Sequence, residues 1–307
     1  MYYIHSIASI TYQDSFRKDN VYESLTPITE ESELIAPNYK EFIPPTTLRR
    51  LSPILRIGLA ASIECKNKVQ KEFDAIIVGT ALGCLKDTEK FLTTILTTTS
   101  SVLSPTAFIQ STHNTIGGQI SLGLKNHAYN MTHTQNSLSF EVSLLDAILC
   151  IQEGKKNVLV GAADEKIDFL KTVQPVLVPN NYPLSSGGSF FSLSKEKNNS
   201  GIAIKSLYSS FNPKELGIEI KSFVKDEGLE LKDIDLILHS NSREITAIED
   251  IQCLDYLKYT GVHYSASAFA VHIAHDYLEA ENKKYSIVVN DMCKGCLGLI
   301  LVARYEA

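Results

Sequence analysis

Hydrophobic positions along the chain switch repeatedly between two periods. In short runs nearly every position is apolar: DAIIVGT (74–80), NVLVGAADE (157–165) and DIDLILHSN (233–241). These have the form of strands buried on both faces. Further strands are expected at 3–11 (YIHSIASIT), 128–134 (AYNMTHT), 285–291 and 296–306, and 187–196 with 201–209 reads as an antiparallel pair. Between them, apolar residues recur at helical spacing: 46–69 in spite of Pro53, 82–96, 106–124, 138–154, 212–229, 244–259 and 265–282. Gly117 and Gly118 permit close packing of the helix at 106–124, and Gly154 ends the next one. Pro175, Pro179 and Pro183 mark a loop.

The order of elements repeats. FDAIIVGTALGCLKDTEKFL is echoed by IDLILHSNSREITAIEDIQCL, and GGSFFSLSKE by GCLGLILVARYE. An internally duplicated α/β unit is the expectation, with a first half over 1–205, a second over 206–307, and sheets and helices stacked in five layers.

With 307 residues, 44% hydrophobic and 21% charged, the chain is of ordinary globular composition and carries a formal net charge of −6. That balance argues against non-specific nucleic-acid binding. Arg49, Arg50 and Arg56 read as a solvated helix face. No run approaches a membrane span and the N-terminus lacks the features of a signal peptide, so a cytoplasmic location is expected. Six scattered cysteines suit reduced thiols better than a disulfide framework. Cys293 and Cys296 form a single C-x-x-C that enters a strand, which suits neither zinc nor a thioredoxin-type site. His272 and His275 read as part of a polar helix face. No cofactor and no metal are expected.

From SPTAFIQSTHN to the last strand, the chain resembles the β-ketoacyl synthases of the thiolase superfamily. The resemblance implies a thiolase-like α/β fold of two similar halves. In that family a cysteine at a helix N-terminus carries the acyl thioester, two histidines serve decarboxylation, and backbone amides hold the oxyanion. DLILHSNSRE places His239 where the first histidine is expected, with Ser240 and Asn241 in place of glycine and threonine. KYTGVHYSASAFA supplies Lys258 and His263 at the family spacing. Both histidines are therefore expected in one cavity near residues 133–137. His133 is expected beside the nucleophile position, and His113 as a buried residue lining the pocket.

The nucleophile itself is missing. Counting forward from GLKNHAYN puts Gln135 at its position, and counting back from EGKKNVLVGAADE puts Ser137 there. Met292 and Lys294 interrupt the glycine-rich loop before the last strand. A glutamine in place of the cysteine resembles the chain-length factors, silent homologues that pair with an active synthase. The chain is also similar to short synthase-like components of aryl-polyene and flexirubin-type pathways. The implied role is a partner of a cysteine-bearing β-ketoacyl synthase, working with acyl carrier protein. Two alternatives stand beside it: a stand-alone relative acting on malonyl or acyl thioesters through the two histidines, and a non-catalytic homodimeric scaffold. The strand at 128–134, with the helix at 106–124, is the expected interface.

Overall fold

The computed structural model describes residues 1–97, 103–177, 182–240 and 251–305. In chain order the first half contains β1 (Tyr2–Ile10), α1 (Pro45–Leu48), α2 (Pro53–Val69), β2 (Ala75–Gly79), α3 (Leu85–Thr97), α4 (Pro105–Gln110), α5 (Thr115–Leu124), β3 (Tyr129–His133), α6 (Ser139–Gln152), β4 (Val158–Asp164), α7 (Asp168–Leu177) and β5 (Gly187–Ser194). The second contains β6 (Ile202–Phe211), α8 (Leu216–Asp226), β7 (Leu236–His239), β8 (Gln252–Asp255), α9 (Leu257–Thr260), α10 (Ala266–Ala280), β9 (Tyr285–Asn290) and β10 (Cys296–Arg304).

The ten strands run in the order β3-β2-β4-β5-β1-β6-β10-β9-β7-β8. Read outward from the centre, each half has two antiparallel pairings followed by two parallel ones. The repeat suggested by the sequence is thus a repeat of topology. It opens at β6, the strand that contains residues 205 and 206.

Period-2 alternation explains the layers. In β2, Ile76 and Val78 face the cluster beneath α2 and α5, while Ala75 and Ile77 face the central cluster that holds α6 and α10. In β10, Leu297, Leu299 and Leu301 pack under α8, and Ile300 and Val302 turn to the central cluster. Outer helices, half-sheet, central helices, half-sheet and outer helix therefore stack as five layers. The central position explains the composition of α10: pressed against β5 on one side and β9 and β10 on the other, it buries Ala266, Ala268, Ala270 and Ala274.

Several expected elements differ. The helix foreseen over 46–69 breaks between α1 and α2, because Pro53 opens the second helix at a position where its missing N–H costs nothing. The helix foreseen over 106–124 is two: α4 ends at Gln110 and α5 starts at Thr115, with the Thr115 hydroxyl taking up the Ile109 carbonyl in between. The strand pair expected of 187–196 and 201–209 does not form, because β1 lies between β5 and β6. Tyr3 faces Ser194 on one side and Ala203 on the other, so the chain passes the start of β1 and continues into the second half. Residues 252–255, expected in a helix, form a parallel strand beside β7, where edge pairing overrides helical spacing; residues 244–250 lie outside the described residues. The proline loop contains α7, and Pro179 lies outside the described residues.

Candidate functional site

The parallel strands of each half deliver polar residues at their carboxyl ends, the ordinary place for a site in such sheets. His133 closes β3, Asp164 β4, His239 β7 and Asn290 β9.

The turn joining β3 to α6 is built around three residues. Asn136 adopts a left-handed conformation at φ 55°, which an asparagine tolerates better than most side chains. The Ser139 hydroxyl accepts from the Gln135 N–H at 2.9 Å and donates to the Asn136 carbonyl at 2.7 Å. Helix α6 can sit this close to β2 because residue 79 is glycine: a Cβ there would lie 2.5 Å from the Ser139 carbonyl oxygen. The turn leaves Gln135 and Asn136 exposed and buries Ser137 completely. Of the two residues that sequence counting offered for the nucleophile position, Ser137 is the one that points inward.

Asn290 links this turn to the second half. Its Nδ2 donates to the Ser137 carbonyl at 2.7 Å and to Glu141 Oε1 at 2.8 Å. Glu141 is fully buried, and burial pushes its carboxyl up to about 7, with Asn290 opposing. Space for it comes from Gly298 on β10, whose Cβ would stand 2.8 Å from the Glu141 side chain. Sequence reasoning passed over Glu141, although an acid inside the apolar stretch LSFEVSLL is a signal that could have found it. Just past the end of β9, Asp291 accepts from the Ser240 hydroxyl at 2.8 Å, and its N–H donates back to that hydroxyl at 2.9 Å. The path from Ser137 thus reaches the residue beside His239.

His239 is buried, and among the described residues its Nδ1 has no hydrogen-bond partner. Burial holds the imidazole below its ordinary range; Asp255 opposes and Lys258 adds to the effect. Lys258 itself is exposed on α9, close enough to act on His239 through space. Asn241 lies outside the described residues.

His263 belongs to a second cluster. Its Nδ1 lies 3.1 Å from the Ser265 hydroxyl, while Nε2 is buried without a partner among the described residues, 3.1 Å from the place a Cβ would occupy at Gly187. Burial lowers its imidazole to about 4, so the ring is neutral near pH 7. It lines a narrow recess with Asp164, Glu165, Leu184, Ser185 and Tyr264, with room for about one water molecule. Asp164 accepts from the Thr80 hydroxyl at 2.9 Å and from the Ala81 and Leu82 amides, yet burial still lifts it to about 6. The lining of this recess includes neither His239 nor residues 133–137, so it does not unite the two histidines as the sequence suggested.

His133 lies beside the turn, with Nε2 2.8 Å from Asp146 of α6, which also accepts from the Tyr129 hydroxyl. His113 is exposed, not buried as expected: it occupies the turn between α4 and α5, stacked over Gly83. The His272 region is likewise no solvated face. His272 and Asp276 are buried inside α10's packing, with His272 Nδ1 2.8 Å from the Ser9 hydroxyl. The C-x-x-C loop folds directly over the turn at Ser137, a placement the sequence did not reveal.

Among the described residues no helix is long and apolar enough to cross a membrane. Among the described residues strand β3 is the outermost of its half-sheet, paired only with β2. Tyr129 and Met131 are exposed on it, flanked by exposed Leu122 of α5 and Leu145 and Leu149 of α6.

The fold is that of the thiolase-like ketosynthases. The structure superposes on the ishigamide ketosynthase/chain length factor with a TM-score of 0.82 at 12% identity, over 99% of each chain. It superposes on the ketosynthase ApeO in complex with its chain length factor ApeC from Xenorhabdus doucetiae with a TM-score of 0.63 at 16% identity, again over 99% of each. A third match is AntDE:AntF, a type II PKS acyl-carrier protein in complex with its ketosynthase, with a TM-score of 0.78, 13% identity and 99% of each chain. No curated protein matches the sequence. Residues 26–183 match the family described as Beta-ketoacyl synthase, N-terminal domain, a span that takes in β2, the turn at Ser137 and Asp164. On that match over half its length, the chain belongs to the β-ketoacyl synthase family.

Proposed function

We propose that this protein is a non-elongating partner subunit. It pairs with a cysteine-bearing β-ketoacyl synthase and helps set the length of a polyketide-like or fatty-acyl chain carried on acyl carrier protein. The observation that carries the reading is the turn at the head of α6. Gln135, Asn136 and Ser137 stand where an elongating enzyme needs a thiol, and Ser137 is sealed from solvent beneath Asn290. A serine would need a dedicated base to form an acyl-enzyme. Among the described residues, no imidazole hydrogen-bonds to the Ser137 hydroxyl.

The open edge of β3 supports the pairing. Tyr129, Met131, Leu122, Leu145 and Leu149 form an apolar strip around unpaired strand backbone, the kind of surface that another sheet edge completes. Two of the structurally similar proteins are described as a ketosynthase with a chain length factor, and a third as an acyl-carrier protein in complex with its ketosynthase. We assign the protein by analogy to a cytoplasmic pathway of the aryl-polyene type.

Co-expression with a cysteine-bearing synthase from the same genome, followed by affinity capture, tests the assignment. A stoichiometric complex that Tyr129→Asp or Met131→Lys disrupts is the expected result, its interface burying well over about 1,000 Å². A stable monomer that retains no synthase overturns it, and a homodimer that excludes every synthase favours a scaffold. A second reading, residual work on malonyl or acyl thioesters, draws on His239 Nδ1 and His263 Nε2, which have no partner among the described residues. Release of carbon dioxide from malonyl thioester, lost in His263→Ala, would establish it.

A further inference from the structure

The connection from β9 to β10 carries the single C-x-x-C, which in sequence lacks the partners of a zinc or thioredoxin site. Its place in the fold changes that assessment. The Cys296 N–H donates to the Cys293 carbonyl at 3.0 Å, and Gly295 in the third position has φ 79°, so residues 293–296 form a tight turn that needs its glycine. Such a turn brings its first and last Cα atoms within about 7 Å, which overlaps the span that a disulfide bridges. Both thiols are free and partly exposed. Both also converge on one residue of the other half: the Ser137 hydroxyl, which has no hydrogen-bond partner of good geometry among the described residues, stands beside each of them. The Cys293 thiol points at Asn136 Oδ1, 3.7 Å away. Among the described residues no third His, Cys, Asp or Glu completes a metal-binding group.

We propose that Cys293 and Cys296 are a redox-active dithiol seated on the nucleophile turn, which closes to an intramolecular disulfide with a small disulfide such as oxidised glutathione. One cysteine thiolate attacks a sulfur of the oxidant and expels one glutathione thiolate, leaving a mixed disulfide. The second cysteine, deprotonated in turn, attacks the protein sulfur of that bond and expels the second glutathione. Two electrons pass from the pair to the oxidant, and the two protons end on the released thiols. Burial holds both thiols above their ordinary range, and the Ser137 hydroxyl opposes this for each. Closure therefore accelerates as pH rises through 7 to 9, where the thiolate fraction grows. Oxidation also removes the S–H that Cys293 offers to Asn136, releasing one of the ties on the left-handed residue of the turn. The proposal is independent of the partner-subunit reading.

The test uses the full-length reduced protein, treated with excess oxidised glutathione under native conditions and then with N-ethylmaleimide. The expected product has lost two hydrogens, with the link mapped to the peptide containing residues 293–296 and reversed by dithiothreitol. Cys293→Ser and Cys296→Ser each abolish the link and leave glutathione attached to the remaining thiol. Amide hydrogen exchange over residues 135–139 is several-fold faster in the oxidised protein. Wild-type protein that stays unreacted, or that carries only glutathione adducts, overturns the dithiol; exchange that is unchanged on oxidation overturns its coupling to the turn.

Discussion

Glu141→Gln isolates the energetic cost of the acid buried beneath the turn. Glu141 is enclosed between α6, Asn290 and the bare Cα of Gly298, and its carboxyl is raised from 4.5 to about 7. Between those values the folded protein holds a proton that the unfolded chain releases, so stability falls as pH rises. It falls by about 1.4 kcal/mol per pH unit, or about 3 kcal/mol over the window. Glutamine keeps the acceptor for Asn290 Nδ2 and cannot ionise. Urea unfolding of both proteins at pH 5 and pH 8 gives a double difference in which every other titrating group cancels. The variant should be equal to or less stable than wild type at pH 5. It should gain about 3 kcal/mol relative to wild type on moving to pH 8. A difference between the two proteins that does not change with pH refutes the assignment of a protonated Glu141.

Gly79→Ala should drive the start of α6 away from β2, because its Cβ meets the Ser139 backbone at 2.5 Å; a loss of about 1–3 kcal/mol in thermal or urea unfolding is expected. Asn136→Val should cost about 1–2 kcal/mol at φ 55°, whereas Asn136→Gly should be nearly neutral, and equal losses in both would mean that the left-handed turn is absent. Incubated alone with acyl carrier protein, an acyl primer and malonyl thioester, the protein should make no extended β-ketoacyl product; a covalent acyl mass on the Ser137 peptide would contradict this.

Buried strands and their order were determined by local sequence. DAIIVGT, NVLVGAADE and DIDLILHSN are apolar on both faces, which no solvated element sustains, and their repetition announced the two-fold topology realised in the ten-stranded sheet. The absence of a thiol from TQNSLS, and the histidines at the end of β7 and ahead of α10, were equally plain, because each is a matter of residue identity beside a strongly patterned element. What depends on contacts between distant residues was not legible. The slot between β5 and β6 is filled by β1, some two hundred residues away in the chain, so local pattern suggested a hairpin that tertiary pairing forbids. Residues 252–255 carry helical spacing and become a strand because β7 offers an open edge. Ser137 turns inward and Gln135 outward only because Asn290 and the loop of Cys293 and Cys296 lie over that side of the turn. Glu141 acquires a raised pKa only once β10 closes over it. Periodicity records which face of an element is buried. It holds no record of which distant group does the burying, and for this site that distant group sets the charge, the exposure and the partner of each residue.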